Sequence, residues 1–141
     1  MIKVTIVDDH ELVRTGIIRL LSDVSGIEVV AEASSGEEAV QLVRQHKPDV
    51  VLMDVNMPGI GGFEATRKLV QMYPDLKVIV VTIHMDDPFP SRMLQAGALG
   101  YLTKGCGVEE IVTAIKEVYA GRRYISADVA QQLALKLMPG G

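Results

Sequence analysis

An α/β fold built on a five-stranded parallel, doubly wound sheet is predicted by two observations. Short β-branched apolar runs alternate with stretches of helical periodicity, the sign of repeated βα units. Four of these runs, far apart in sequence, also finish in the same way. Val4-Thr5-Ile6-Val7 runs into Asp8-Asp9, Val50-Val51-Leu52-Met53 into Asp54, Val78-Ile79-Val80-Val81 into Thr82, and the run over 98–103 into Lys104. If the runs are neighbouring parallel strands, their carboxyl ends lie side by side, where an open α/β sheet places its ligand site.

The elements follow in order. Residues 3–7 form the first strand, and Leu12, Ile17, Leu20 and Leu21, with Val13 and Ile18 beside them, give a helix that stops before Ser25-Gly26. Residues 27–31 form the second strand. Ser34-Ser35-Gly36-Glu37 opens a second helix through Ala39, Val40 and Val43, and Lys47-Pro48 ends it because a helix rarely continues through proline. Residues 49–53 are apolar after one acid, as expected of a strand buried on both faces. A Pro58-Gly59-Ile60-Gly61-Gly62 loop leads to a third helix through Ala65, Leu69 and Met72. A strand over 77–82, a short helix over 90–96 ending at Gly97, a strand ending at Thr103 and a helix over 108–119 ending at Gly121 complete the repeat. Five βα units thus occupy residues 1–121. Residues 122–141 hold a further capped amphipathic helix, 126–137, with Val129, Leu133 and Leu137 in one row, and a Met138-Pro139-Gly140-Gly141 tail that reads as a linker.

Composition narrows the class. A chain of 141 residues, 48% hydrophobic, is one ordinary domain with a sizeable core. A net charge of −4 argues against a surface that tracks nucleic-acid phosphates. The single Cys106 forms no internal disulfide, no secretory leader opens the chain, and no apolar stretch reaches the length of a membrane helix. A soluble protein of the reducing cytoplasm is expected.

The motifs Val7-Asp8-Asp9-His10, Met53-Asp54-Val55-Asn56-Met57-Pro58-Gly59, Thr82 and Lys104 together resemble the receiver domain of two-component response regulators. Asp9-His10-Glu11-Leu12-Val13-Arg14 and Arg123-Tyr124-Ile125-Ser126 resemble its NarL/FixJ subfamily, whose members carry a helix-turn-helix DNA-binding domain after the receiver. The resemblance covers about the first 121 residues and implies a flavodoxin-like fold. It implies that Asp54 is the phosphoryl acceptor, and that Mg²⁺ or Mn²⁺ is held by Asp9, Asp54, the Asn56 carbonyl and, through water, Asp8. Lys104 and Thr82 would bind the phosphoryl oxygens, with Thr82 and Tyr101 as the switch pair. The implied donor is a sensor histidine kinase or phosphotransfer protein. Altered self-association, a homodimer included, is the implied output, with DNA reached only through a domain beyond residue 141 and no membrane partner.

The residue types support that chemistry independently of the resemblance. Adjacent carboxylates repel one another, and a hard divalent cation relieves the repulsion. A carboxylate can also act as the nucleophile in covalent phosphoryl transfer. Other readings compete at each position. Asp8 and Asp9 could cap the first helix, Thr82 and Tyr101 could be ordinary strand residues, and Lys104 a solvated charge. His10, His46 and His84 have no zinc spacing and are assigned no metal. Cys106 is expected to be inert, and Gly105 after Lys104, where many receivers have a cis proline, makes a cis bond there improbable. An aspartate-nucleophile phosphatase of similar architecture is the rival reading, but it would need a second acid where Asn56 stands.

Overall fold

Six parallel strands form one sheet in the order β2-β1-β3-β4-β5-β6: β1 Ile2–Val7, β2 Ile27–Ala33, β3 Val50–Asp54, β4 Lys77–Thr82, β5 Gly100–Thr103 and β6 Tyr124–Ile125. The helices are α1 Glu11–Ser22, α2 Gly36–His46, α3 Gly61–Met72, α4 Val108–Tyr119 and α5 Ala127–Leu137. The computed structural model describes residues 1–55, 57, 60–82, 92, 94–103 and 105–137, without the side chains of Gln132, Leu133, Lys136 and Leu137. Of the helix expected over 90–96, Arg92, Leu94 and Gln95 are helical, and the other residues up to 93 lie outside the described set. The expected placement of Leu133 and Leu137 also falls outside it.

The central strands are buried on both sides, and their alternation divides the core in two. Val51, Met53, Val78, Val80 and Tyr101 point to the face covered by α2 and α3. Val50, Leu52, Ile79, Val81 and Leu102 point to the face that packs Ile111, Ala114, Ile115 and Val118 of α4 and Leu21 of α1. Each fully buried Val, Leu or Ile contributes about 1.5–3 kcal/mol, so both layers hold the strand ends firmly in register. The local signals behave as their chemistry requires. Ser35 caps α2 by accepting a hydrogen bond from the Glu38 amide at 3.1 Å, and Lys47 ends that helix in the left-handed region at φ 47°.

Two features depart from the sequence reading, and a third settles a placement that the sequence left open. Tyr124 and Ile125 add a sixth strand alongside β5, in register Gly100↔Tyr124 and Tyr101↔Ile125, so the outer margin of β5 is covered. Leu12 and Leu20, which the helical pattern grouped with the packing face of α1, are 89% and 53% exposed, while Leu21 is fully buried. Met72 at the end of α3 is exposed as well. The last helix docks on the domain: Val129 is fully buried in the same apolar layer as Tyr101 and Leu69.

Candidate functional site

Strand order reverses between β1 and β3, whose neighbours lead away to opposite sides, and such a switch point opens a crevice at the carboxyl ends. Register then brings the polar residues together. Val7 pairs with Met53, so Asp8 stands level with Asp54; Asp54 pairs with Val81, and Thr82 with Thr103, the residue before Lys104. Asp8, Asp54 and Thr82 are 4%, 1% and 0% exposed, whereas Asp9 lies at the rim. Ligand atoms of Asp8, Asp9, His10 and Asp54 all fall within 4.8 Å of one another. Three carboxylates this close form an oxygen-rich donor set that suits a hard divalent cation.

The turn after β1 is clamped from two sides. The Asp8 amide donates to the Ala33 carbonyl at 3.0 Å, and the Asp8 Oδ1 accepts the His10 amide at 2.8 Å. Arg14, on the first turns of α1, donates from Nη1 to the Asp8 carbonyl at 2.6 Å and from Nε to Glu32 Oε1 at 2.8 Å. Its side chain is only 13% exposed, so one guanidinium ties the acid turn to β2 and brings positive charge beside the carboxylates. The N-cap of α1 is His10, which makes no side-chain capping bond. On the far side, Gly62 packs onto Asp54, and its amide donates to the Val55 carbonyl at 3.3 Å.

Tyr101 is fully buried on β5, two strands from Asp54 with β4 and its Thr82 between them. Burial pushes its phenol up to about 12, and the neighbouring Thr82 hydroxyl pulls in the opposite direction. Its backbone carbonyl accepts the Ser126 amide at 2.9 Å, linking the strand directly to the start of α5. The Cys106 thiol is pushed up by partial burial and by the Glu110 carboxylate, which favours the unreactive protonated form. Of the residues predicted for the site, Asp8, Asp9, Asp54 and Thr82 come to the same sheet end, while Asn56 and Lys104 lie outside the described residues. His84 lies outside them too, and His46 is exposed in the last turn of α2.

A family model for the response regulator receiver domain matches residues 4–116. The chain belongs to this family. As a receiver domain of a two-component response regulator it is a signalling protein, and the phosphatase reading finds no support. It is 64% identical over 136 residues to the response regulator GacA of Pseudomonas aeruginosa, covering 96% of this chain and 64% of that protein. It is 57% identical over 135 residues to UvrY of Escherichia coli, covering 96% and 62% respectively. Both relatives are NarL/FixJ-family regulators, and this chain spans a little under two thirds of their length. A crystal structure of a LuxR-family two-component response regulator from Aurantimonas superposes on the receiver domain with a TM-score of 0.90 at 42% identity, covering 95% of this chain and 96% of that one.

Two members of the receiver site were not singled out from sequence. His10 was grouped with the scattered histidines, yet its Nδ1 lies 3.1 Å from Asp9 Oδ1 and 3.4 Å from Asp8 Oδ1. Its place directly after the paired acids was the available signal. Arg14 closes the motif that runs from Asp9, yet the motif alone gave it no role in the site, since one arginine on an amphipathic helix ordinarily marks its solvent face.

Proposed function

We propose that Asp54 accepts a phosphoryl group from a phosphohistidine on a sensor histidine kinase or phosphotransfer protein. The P–N bond to the donor imidazole breaks, an O–P bond to the Asp54 carboxylate forms, and the released imidazole takes up a proton. One observation carries this reading: a carboxylate 1% exposed at the end of the central strand β3 belongs to a cluster of acids whose ligand atoms lie within 4.8 Å. Mg²⁺ or Mn²⁺, held by Asp9, Asp54, the Asn56 carbonyl and, through water, Asp8, supplies charge neutralisation for the acids and the phosphoryl oxygens. Asp54 is the nucleophile, and Lys104 and Thr82 bind the transferred oxygens. Arg14 and Gly62 hold the turns from which Asp8 and Asp54 project.

The donor docks beside α1. Leu12 and Val13 stand exposed on the first turns of α1, next to a groove of about 310 Å³ whose walls are α1 and α4 and whose floor reaches Asp8 and Asp54. An apolar helix face laid on this strip would bring a phosphohistidine to the acids without burying charge. On phosphorylation the Thr82 hydroxyl turns to the new oxygens in front of Tyr101, whose ring is already buried behind it, a shift between two arrangements that the phosphoryl group stabilises unequally. Residues 1–121 act as the receiver, and 122–141 lead to a DNA-binding domain whose activity the switch controls in the cytoplasm through self-association.

Acetyl phosphate or a phosphorylated kinase with Mg²⁺ should place one phosphoryl group, labile to alkali and to hydroxylamine as an acyl phosphate is, on the Asp54 peptide, and Asp54→Ala should abolish it. Undiminished labelling of that variant would refute the assignment. Light scattering with beryllofluoride and Mg²⁺ separately reads the change in self-association.

A further inference from the structure

We propose that His10 is itself a ligand of the divalent-metal site, so that the receiver offers a mixed carboxylate–imidazole donor set that prefers Mn²⁺ to Mg²⁺. This inference rests on the reading above, in which the acid cluster holds a divalent ion. Two donor atoms bound at right angles to one ion, each about 2.1 Å away, are separated by about 3 Å. The His10 Nδ1 lies 3.1 Å from Asp9 Oδ1, the spacing of an adjacent coordination position, and 3.4 Å from Asp8 Oδ1, which reaches the ion through water. Its distance envelope with Asp54 is the one the three carboxylates share.

The backbone keeps the ring there. The His10 amide donates to Asp8 Oδ1 at 2.8 Å, and its carbonyl accepts the Arg14 amide at 2.9 Å as the opening bond of α1. Both main-chain groups of residue 10 are therefore fixed, and the imidazole moves only by side-chain rotation above the cluster. The side chain is 63% exposed, so rotating its Nδ1 onto an ion displaces no packed neighbour. Imidazole nitrogen binds first-row transition metals, with Mn²⁺ at the weak end of their affinity order, whereas Mg²⁺ takes oxygen donors and keeps its waters. A site with one such nitrogen among carboxylates therefore gains little for Mg²⁺ and more for Mn²⁺.

The test uses the full 141-residue chain. Mn²⁺ bound to the parent protein should show nitrogen hyperfine modulation in pulsed electron paramagnetic resonance, and the modulation should vanish in His10→Ala. Titration calorimetry should show Mn²⁺ affinity falling roughly tenfold or more in His10→Ala and in His10→Gln, with Mg²⁺ affinity changed far less. Tight Mn²⁺ binding to the parent without nitrogen modulation, or an unchanged Mn²⁺-to-Mg²⁺ ratio in both variants, would overturn the role of His10 and leave the carboxylate site intact. A parent that binds neither ion, or an Asp9→Asn variant that binds both as tightly as the parent, would instead undo the underlying metal reading.

Discussion

Gly62 lies against Asp54 so closely that a Cβ at position 62 would stand 2.2 Å from the Asp54 carbonyl oxygen and 2.8 Å from the Val55 Cα. Both obstacles are backbone, so neither can swing aside. Gly62→Ala must push the start of α3 away from the end of β3, at a cost of about 3 kcal/mol or more, at the upper end of what overpacking does. Urea denaturation should show a lower midpoint, and the fraction of Asp54 labelled by acetyl phosphate should fall because the acceptor strand is displaced. A variant with parental stability would mean that the approach is looser than described.

Arg14 joins three elements through one side chain. Arg14→Ala leaves the Asp8 carbonyl and Glu32 without their charged donor, and bonds of this kind contribute roughly 1.5–3 kcal/mol. Arg14→Lys should recover only part of the loss, since an ammonium cannot span both acceptors with the fixed fork of a guanidinium. Stability and divalent-ion affinity should fall together in the order parent, lysine, alanine. Full recovery by lysine would reduce the contact to simple charge.

The Tyr101 phenol sets a pH limit. Its value is raised from 10.0 in the unfolded chain to about 12 in the folded protein, so the folded state prefers the neutral form. The stabilisation is fully present below pH 10 and is lost as pH rises through the window from about 10 to 12; its size is roughly 3 kcal/mol. Tyr101→Phe removes the ionisable group, so the stability of the parent relative to the variant should fall with rising pH across that window. A pH-independent difference would place the phenol in contact with solvent.

Val129 anchors the last helix. Val129→Ala removes two methyl groups from a fully buried position and should lower stability by about 2 kcal/mol, the transfer loss plus a small cavity. Val129→Asp should release the segment, accelerating amide exchange at Ser126 and Tyr124, whose N–H groups donate to Tyr101 and Leu99. Exchange at β3 amides should change much less. Equal acceleration throughout the sheet would mean that the segment and the sheet unfold as one unit.

Much of this arrangement was legible in the chain because buried parallel strands carry continuous apolar runs, and the polar residue that ends each run marks the carboxyl edge. Strand 77–82 and helix 108–119 match their observed bounds for that reason. β6 was not legible, since two residues show no periodicity and acquire strand geometry only from the waiting margin of β5. The exposure of Leu12 and Leu20 was equally hidden: the apolar arc of α1 is wider than the part of it that the domain covers, and sequence records the arc alone. The convergence of His10 with the acids depends on how one turn folds after β1, a tertiary fact with only sequence adjacency as its trace.

The bulge in β2 has a bearing on how these molecules behave in crowded solution. Pairing shifts between Val4 and Thr5, which skips Val30 and kinks the strand that forms one lateral boundary of the sheet. Glu28 and Glu32 stand exposed along that boundary. A foreign strand seeking to zip on would meet a broken ladder, the anionic Glu28 and the ion pair of Glu32 with Arg14, a combination that deters intermolecular sheet growth. At the opposite boundary, β6 presents two residues, too short a template for templated assembly. Concentrated samples should therefore associate through helical surfaces rather than by extending the sheet.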